Sequence, residues 1–445
     1  MSATSLKVGP GGRDLSLASY SRASRMRAFR RRLPASSNLG RFSACPLEDR
    51  EPHVRVLCPS RCIVSLGVMT RITPALVIGA GPAGLAVSAC LTKHGVEHVV
   101  LEREHDVAPR WRNHYDRLHL HTFRDLSRLP HKKWKRGTPR YPSRQQVVDY
   151  MEDYARELGV VPQFGQDIQL AKRVNGVWHV RTQNQTFEAG SLVIATGYSR
   201  TPYSPTWPGQ DGFQGDILHS HAFRNGTRWK AKRVLVVGSG NSGAEIAIDL
   251  VEHSAEVAIC VRGPTHYVAR DVAGVVPAQI VGIALSPLPS RIADYLAVMT
   301  SKMMFGDLSS FGIRRPEMGP ITQIWTLGRL PLIDVGTIEL IRNGTLAVFP
   351  GIERFHEGGV EFVDGRREDF DAIILATGYR AAIDEFLDDA KSHLNERGYP
   401  KLLAAEAEHP GPYFVGFGNP PTGLLREINH HAKAVAAKVA AVNLQ

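Results

Sequence analysis

Short apolar runs punctuate the chain, and glycine-rich turns follow several of them at once. Ala75–Ile78 (ALVI), His98–Glu102 (HVVLE), Arg233–Val237 (RVLVV) and Glu256–Val261 (EVAICV) are the sharpest, joined by SLVI from Ser191 and DAIIL from Asp371. Such runs show no polar alternation, which suits strands buried on both faces, as in a parallel sheet covered by helices. Leu85–Leu91 continues the first run as a small, apolar helix, and another helix opens at Ala244. Asp271–Gly312 lacks this rhythm. There Ile292, Tyr295, Leu296, Met299 and Met303 recur at helical spacing and predict one apolar helix face. Core packing is the default expectation for that face, and an apolar pocket wall the sharper one.

The turns carry the chemistry. Gly79, Gly81 and Gly84 fit G-x-G-x-x-G between a strand and a helix, and Gly238, Gly240 and Gly243 repeat the pattern. The first glycine permits the tight turn, the second lets a pyrophosphate approach the backbone, and the third lets helix pack on strand. In the first copy the next strand ends at Glu102, an acid suited to accept ribose hydroxyls. In the second copy the strand leads into Arg262, taken as the counterpart of Glu102; an arginine there pairs with a 2′-phosphate that an acid repels, with plain surface placement as the competing reading. This asymmetry reads as FAD in the first site and NADPH in the second. Ala-Thr-Gly-Tyr follows a buried run twice, at 195–198 and 376–379. Two such exits predict that the NADPH domain is inserted into the FAD domain.

The expected fold class is therefore α/β, with two Rossmann-like dinucleotide-binding domains. The expected layout is a leader over residues 1–70 and FAD-binding segments over 71–200 and 381–445. An NADPH-binding domain over 201–380 carries a helical substrate or lid segment at 271–312.

Composition changes this picture in one place. The chain has 445 residues and a formal net charge of +11. Residues 1–68 hold twelve Lys and Arg against four Asp and Glu, so eight of those charges lie there. The body is too weakly charged for a nucleic-acid partner, and no run is long enough for a membrane span. The Arg/Ser-rich leader reads as a disordered tail, as upstream sequence from an early start codon, or as an organellar transit peptide. Five cysteines without a CxxC pair exclude a redox dithiol and fit a reducing, cytoplasmic compartment.

Phe213-Gln-Gly-Asp-Ile-Leu-His219-Ser-His-Ala-Phe223 resembles the F-x-G-x-x-x-H signature of class B flavin monooxygenases. Longer stretches are similar to the YUCCA-type indole-3-pyruvate monooxygenases. They are Tyr115–His131, Tyr141–Ala155, Val234–Leu250 and Phe311–Gly344. The resemblance implies hydride transfer from NADPH to FAD, dioxygen addition to a flavin C4a-hydroperoxide, and transfer of one oxygen atom to a small-molecule substrate. The protein's task is then to position cofactors and exclude water, with no metal. It implies a candidate catalytic His121, standing where animal-type relatives carry Asn, with a structural histidine as the competing reading. It also implies that His219 places NADPH relative to FAD. Thr422 and Gly423 would face the flavin ring, unless they only cap a helix. Trp111, Thr196, Gly197, Asn241, Ser242, Thr377 and Gly378 complete the expected cofactor-binding set.

Indole-3-pyruvate or a related 2-oxo acid is the expected substrate, with Arg314 and Arg315 available for its carboxylate, although charged surface is the commoner place for such a pair. N- or S-oxygenation of small amines or sulfides, and an NADPH oxidase that releases hydrogen peroxide, stay open as alternatives.

Overall fold

The structure, a computed structural model, describes residues 62–65 and 68–443 apart from Asn419. The leader expectation falls mostly on residues 1–61, outside the described residues. Its last stretch needs correction. Cys62–Ser65 (β1) pairs antiparallel with the start of Val68–Ile78 (β2), so ordered backbone begins before residue 70 and Met69 lies inside a strand.

β2 leads through the first glycine loop into Pro82–Lys93 (α1) and then His98–Leu101 (β3). Ala75, Leu76 and Val77 are fully buried, as their unbroken apolar run requires. The helix Arg144–Glu157 (α2) follows, then Ile168–Val174 (β4), Val177–Thr182 (β5) and Thr186–Ile194 (β6).

The chain then leaves this sheet. Asp216–His219 (β7), Arg233–Val237 (β8), Asn241–Glu252 (α3) and Glu256–Cys260 (β9) open the second unit. Three helices come next: Ala278–Leu285 (α4), Ser290–Phe305 (α5) and Pro320–Leu327 (α6). The helical segment therefore runs past Gly312, its expected end. Leu346–Phe349 (β10) and Ala372–Leu375 (β11) complete the second sheet. The chain returns to the first sheet at Tyr413–Phe414 (β12) and ends its described part in Leu424–Asn443 (α7).

The second sheet has the order β10-β9-β8-β11-β7, parallel throughout. In the first sheet β3, β2, β6 and β12 run parallel, and the β4–β5–β6 meander extends it. Each Ala-Thr-Gly-Tyr sits where the chain leaves one sheet for the other. The two exits pair antiparallel, Thr201–Pro202 against Tyr379–Arg380, so one short ribbon joins the units. Gly197 and Gly378 take φ of +72° and +89° at these exits, a region side chains with a Cβ rarely adopt.

Candidate active site

One cavity of about 1200 Å³ lies between the two units and touches both glycine loops. On the first wall Gly79 (φ +107°) turns the chain so tightly that a Cβ would stand 2.6 Å from the Ala195 carbonyl oxygen. A Cβ on Gly84 would meet the Gly79 carbonyl oxygen at 1.8 Å, which is why α1 can seat directly on the loop. Gly81 faces open space. Glu102 follows β3, and its carboxylate accepts the Ala80 N–H at 2.7 Å and the Glu104 N–H at 3.1 Å. The acid thus braces the loop from below while facing the cavity. Trp111, Thr196 and Gly197 line the same wall, and the buried Thr196 hydroxyl has no protein partner. An uncovered helix start, an acid and an orphaned hydroxyl are groups an FAD would satisfy.

The second wall repeats the loop. Gly238 (φ +116°) and Gly243 are closed to any side chain in the same way, and Gly240 is open. Gly240, Asn241, Ser242 and Gly378 reach the cavity. Asn241 also accepts the Ile333 N–H at 2.7 Å, tying the loop to the end of the helical insertion. Arg262 requires a positional correction. The Gly79 N–H donates to Leu101 and the Gly238 N–H to Cys260, so the register counterpart of Glu102 is Val261. Val261 is buried, and Arg262 is exposed one residue later. Strand alternation explains the shift: the apolar residue faces the core and the charge falls on the next position.

Several other predicted residues stand behind the cavity wall. His219 Nδ1 accepts the His221 N–H at 3.0 Å, so Nε2 donates to the Gly378 carbonyl, also at 3.0 Å. Burial lowers its pKa, and the ring pins β7 to the second exit as a neutral spacer. Thr377 donates to the Tyr203 carbonyl across the connecting ribbon. Thr422 donates to Glu427 at 2.6 Å, a local bond at the start of α7, whereas Gly423 (φ +96°) faces the cavity.

His121 does reach the cavity, on a loop held at both ends. On one side Ser143 and Gln146 form a capping box at α2, and the Leu120 N–H donates to Pro142 at 2.8 Å. On the other side Gln279, on the insertion, accepts the Phe123 N–H at 2.8 Å and donates to the Thr422 carbonyl at 2.7 Å. Gln279 was not legible as a site residue; a buried amide inside the apolar helix AQIVGIAL is the signal that marks it. His121 Nε2 bonds the carboxylate of Glu245, from α3 of the second unit. Beside them Tyr115 is almost wholly buried and hydrogen-bonded to Ser242. Burial first, then the Glu245 charge, holds its phenol well above the ordinary range. His114, also lining the cavity, is pushed down to about 3 by burial and then by Arg110, so its ring is neutral.

The apolar face expected in the insertion neither packs in the core nor lines the cavity. Ile292, Tyr295, Leu296, Met299 and Met303 face solvent, with Met303 80% exposed. The opposite, smaller face of α5, with Ala297, Thr300, Ser301 and Met304, lines the cavity instead. Ala293 and Phe305 of the same helix are buried, so the inward face is the one carrying them and not the Ile292–Met303 stripe. Arg314 and Arg315 lie outside the lining as well; the cations that reach it include Arg110 and Arg200. The apolar end is formed by residues such as Val281, Leu285, Ile324 and Leu330.

A cavity with a dinucleotide loop on each wall defines the class: an oxidoreductase that holds FAD and NADPH against each other. The chain belongs to the class B flavin-dependent monooxygenases, near the YUCCA-type members. It is 38% identical to the indole-3-pyruvate monooxygenase YUCCA1 of Oryza sativa, over 78% of this chain and 87% of that protein. It is 36% identical to the probable indole-3-pyruvate monooxygenase YUCCA1 of Arabidopsis thaliana, over 77% and 84%. A family model described as pyridine nucleotide-disulphide oxidoreductase matches residues 76–279. Among solved structures, the flavin-containing monooxygenase of Stenotrophomonas maltophilia aligns with a TM-score of 0.64 at 20% identity, covering 84% of this chain and 99% of that one. The bacillithiol disulfide reductase of Bacillus cereus aligns at 0.61 and 19%, over 84% and 100%. The fold is thus shared with disulfide chemistry. Here Cys90 and Cys260 are free and buried, and burial lifts their thiols to about 11 and about 12.

Proposed function

We propose that this flavin monooxygenase oxidatively decarboxylates indole-3-pyruvate or a closely related aromatic 2-oxo acid. The observation that carries the reading is the 38% identity to an indole-3-pyruvate monooxygenase over 87% of that protein. The apolar end of the cavity supports it, since an aromatic ring gains most from such a lining. When bound, FAD reduced by NADPH supplies the activation of dioxygen. The first loop, Glu102, Trp111, Thr196 and Gly197 would hold FAD. The second loop, Asn241, Ser242 and Arg262 would hold NADPH. His219 would space the two, and Gly378 and Gly423 would close the ends. His121 would meet the reacting region with a ring nitrogen, while the helices α4 to α6 exclude water. We place the enzyme in the cytoplasm, in keeping with the free, buried Cys90 and Cys260; fluorescence localisation of a tagged chain tests this.

One observation favours a second reading. Arg314 and Arg315, the carboxylate partners the sequence offered, do not line the cavity, so a carboxylate would have to pair with Arg110 or Arg200 instead, a need that a neutral sulfide does not have. Product analysis decides between the two. Indole-3-pyruvate should yield indole-3-acetate and carbon dioxide, with one NADPH and one dioxygen consumed per product. Faster turnover on amines or sulfides, with no carbon dioxide from any 2-oxo acid, refutes the substrate reading. One hydrogen peroxide per NADPH under every condition identifies an oxidase.

A further inference from the structure

Glu245 is a carboxylate where the helix pattern calls for an apolar residue. It lies in the run GAEIAIDL of α3 and is only 4% exposed. Burying a charge is costly unless the site pairs it with hydrogen-bond donors. The donor here is His121 Nε2, reached across the junction between the two dinucleotide units. With Nε2–H committed to the carboxylate, Nδ1 is the ring nitrogen left over, and it takes no hydrogen bond from the described residues. The imidazole lines the cavity, and its loop is fixed on both sides by Leu120 and Phe123.

We propose that Glu245 is the positioning residue for His121: it fixes the ring's hydrogen on Nε2 and its orientation, so that Nδ1 is presented to the cofactor or substrate in the cavity. A histidine's tautomer is set by the bond its other nitrogen makes. Because Glu245 rides on the helix that follows the second glycine loop, the same bond links the seating of NADPH to the pose of a residue on the first unit. This inference rests on the reading of His121 as a site residue.

The test uses the flavin-loaded enzyme with indole-3-pyruvate as substrate probe, and compares Glu245→Gln, Glu245→Asp, His121→Ala and the Glu245→Gln/His121→Ala double variant. The amide of Gln keeps the shape but accepts or donates equally, so the tautomer preference is lost. Ring nitrogen NMR of selectively labelled His121 should show Nε2–H in the parent and a mixed or inverted population in Glu245→Gln. Peroxide released per NADPH should rise roughly tenfold in Glu245→Gln, by analogy with other orienting partners of functional histidines. It should rise no further in the double variant, because partners acting through one bond are not additive. Glu245→Asp should recover part of the coupling, which a merely structural carboxylate would not do for peroxide yield alone. Additive effects, or an Nδ1–H tautomer in the parent, overturn the proposal. If Glu245→Gln fails to retain flavin, the parent's nitrogen spectrum decides by itself. Parent-like turnover and coupling in His121→Ala would instead defeat the reading of His121, a result distinguishable from failure at Glu245.

Discussion

The two dinucleotide units are near copies in backbone and opposites in charge. Gly79 and Gly238 turn at φ +107° and +116°, and a Cβ on either would strike an alanine carbonyl at 2.6 Å. Gly84 and Gly243 would place a Cβ 1.8 and 1.9 Å from the first glycine's carbonyl oxygen. At the end of the second strand the likeness stops. Glu102 braces its own loop through the Ala80 N–H, whereas the register counterpart Val261 is apolar and Arg262 stands beyond it. Loop shape is set by sterics and serves any pyrophosphate; which nucleotide is held depends on one or two side chains past the strand. Geometry makes the site and charge chooses its occupant.

The largest effect should come from breaking the shared geometry one copy at a time. Gly84→Ala should cost ~3 kcal/mol or more of overpacking, roughly a hundredfold in binding, and yield protein without yellow flavin absorbance. Gly243→Ala should leave the protein yellow but unreduced by NADPH in anaerobic titration. Loss of flavin from both variants would show that the units are not independent.

A middle-sized effect should follow from exchanging the charge. Arg262→Ala should weaken NADPH by about 1.5–3 kcal/mol while leaving NADH nearly unchanged. Adding Val261→Asp, an acid at the register position of Glu102, should turn the preference toward NADH. Equal weakening of both nucleotides by Arg262→Ala would remove the 2′-phosphate assignment.

The smallest effect belongs to Glu102→Gln. It keeps an acceptor for the Ala80 N–H but loses the charge, so FAD retention should fall by about 1–2 kcal/mol. The ratio of NADPH to NADH affinity should stay fixed. A change in that ratio would mean Glu102 acts on the wrong site.

Much of this molecule is decided locally, and therefore legible in order. A buried strand, a glycine turn and a helix start are properties of neighbours along the chain, so both loops, both exits and the α/β class follow from the run of residues. The insertion of one unit in the other follows from the repeated Ala-Thr-Gly-Tyr. The helical insertion is less legible. Periodicity finds a helix face but not which face packs, and in α5 the face with Ala293, Ser301 and Phe305 packs inward while Met303 and Tyr295 turn outward. The offset at Arg262 is likewise invisible to spacing alone, because it is fixed by the pairing of Gly238 with Cys260. The bond between His121 and Glu245 spans 124 residues, and that between Gln279 and Thr422 spans 143. Sequence determines what each segment can become; only the tertiary structure brings a loop of one unit against a helix of the other, because such bonds depend on domain packing rather than on any local pattern.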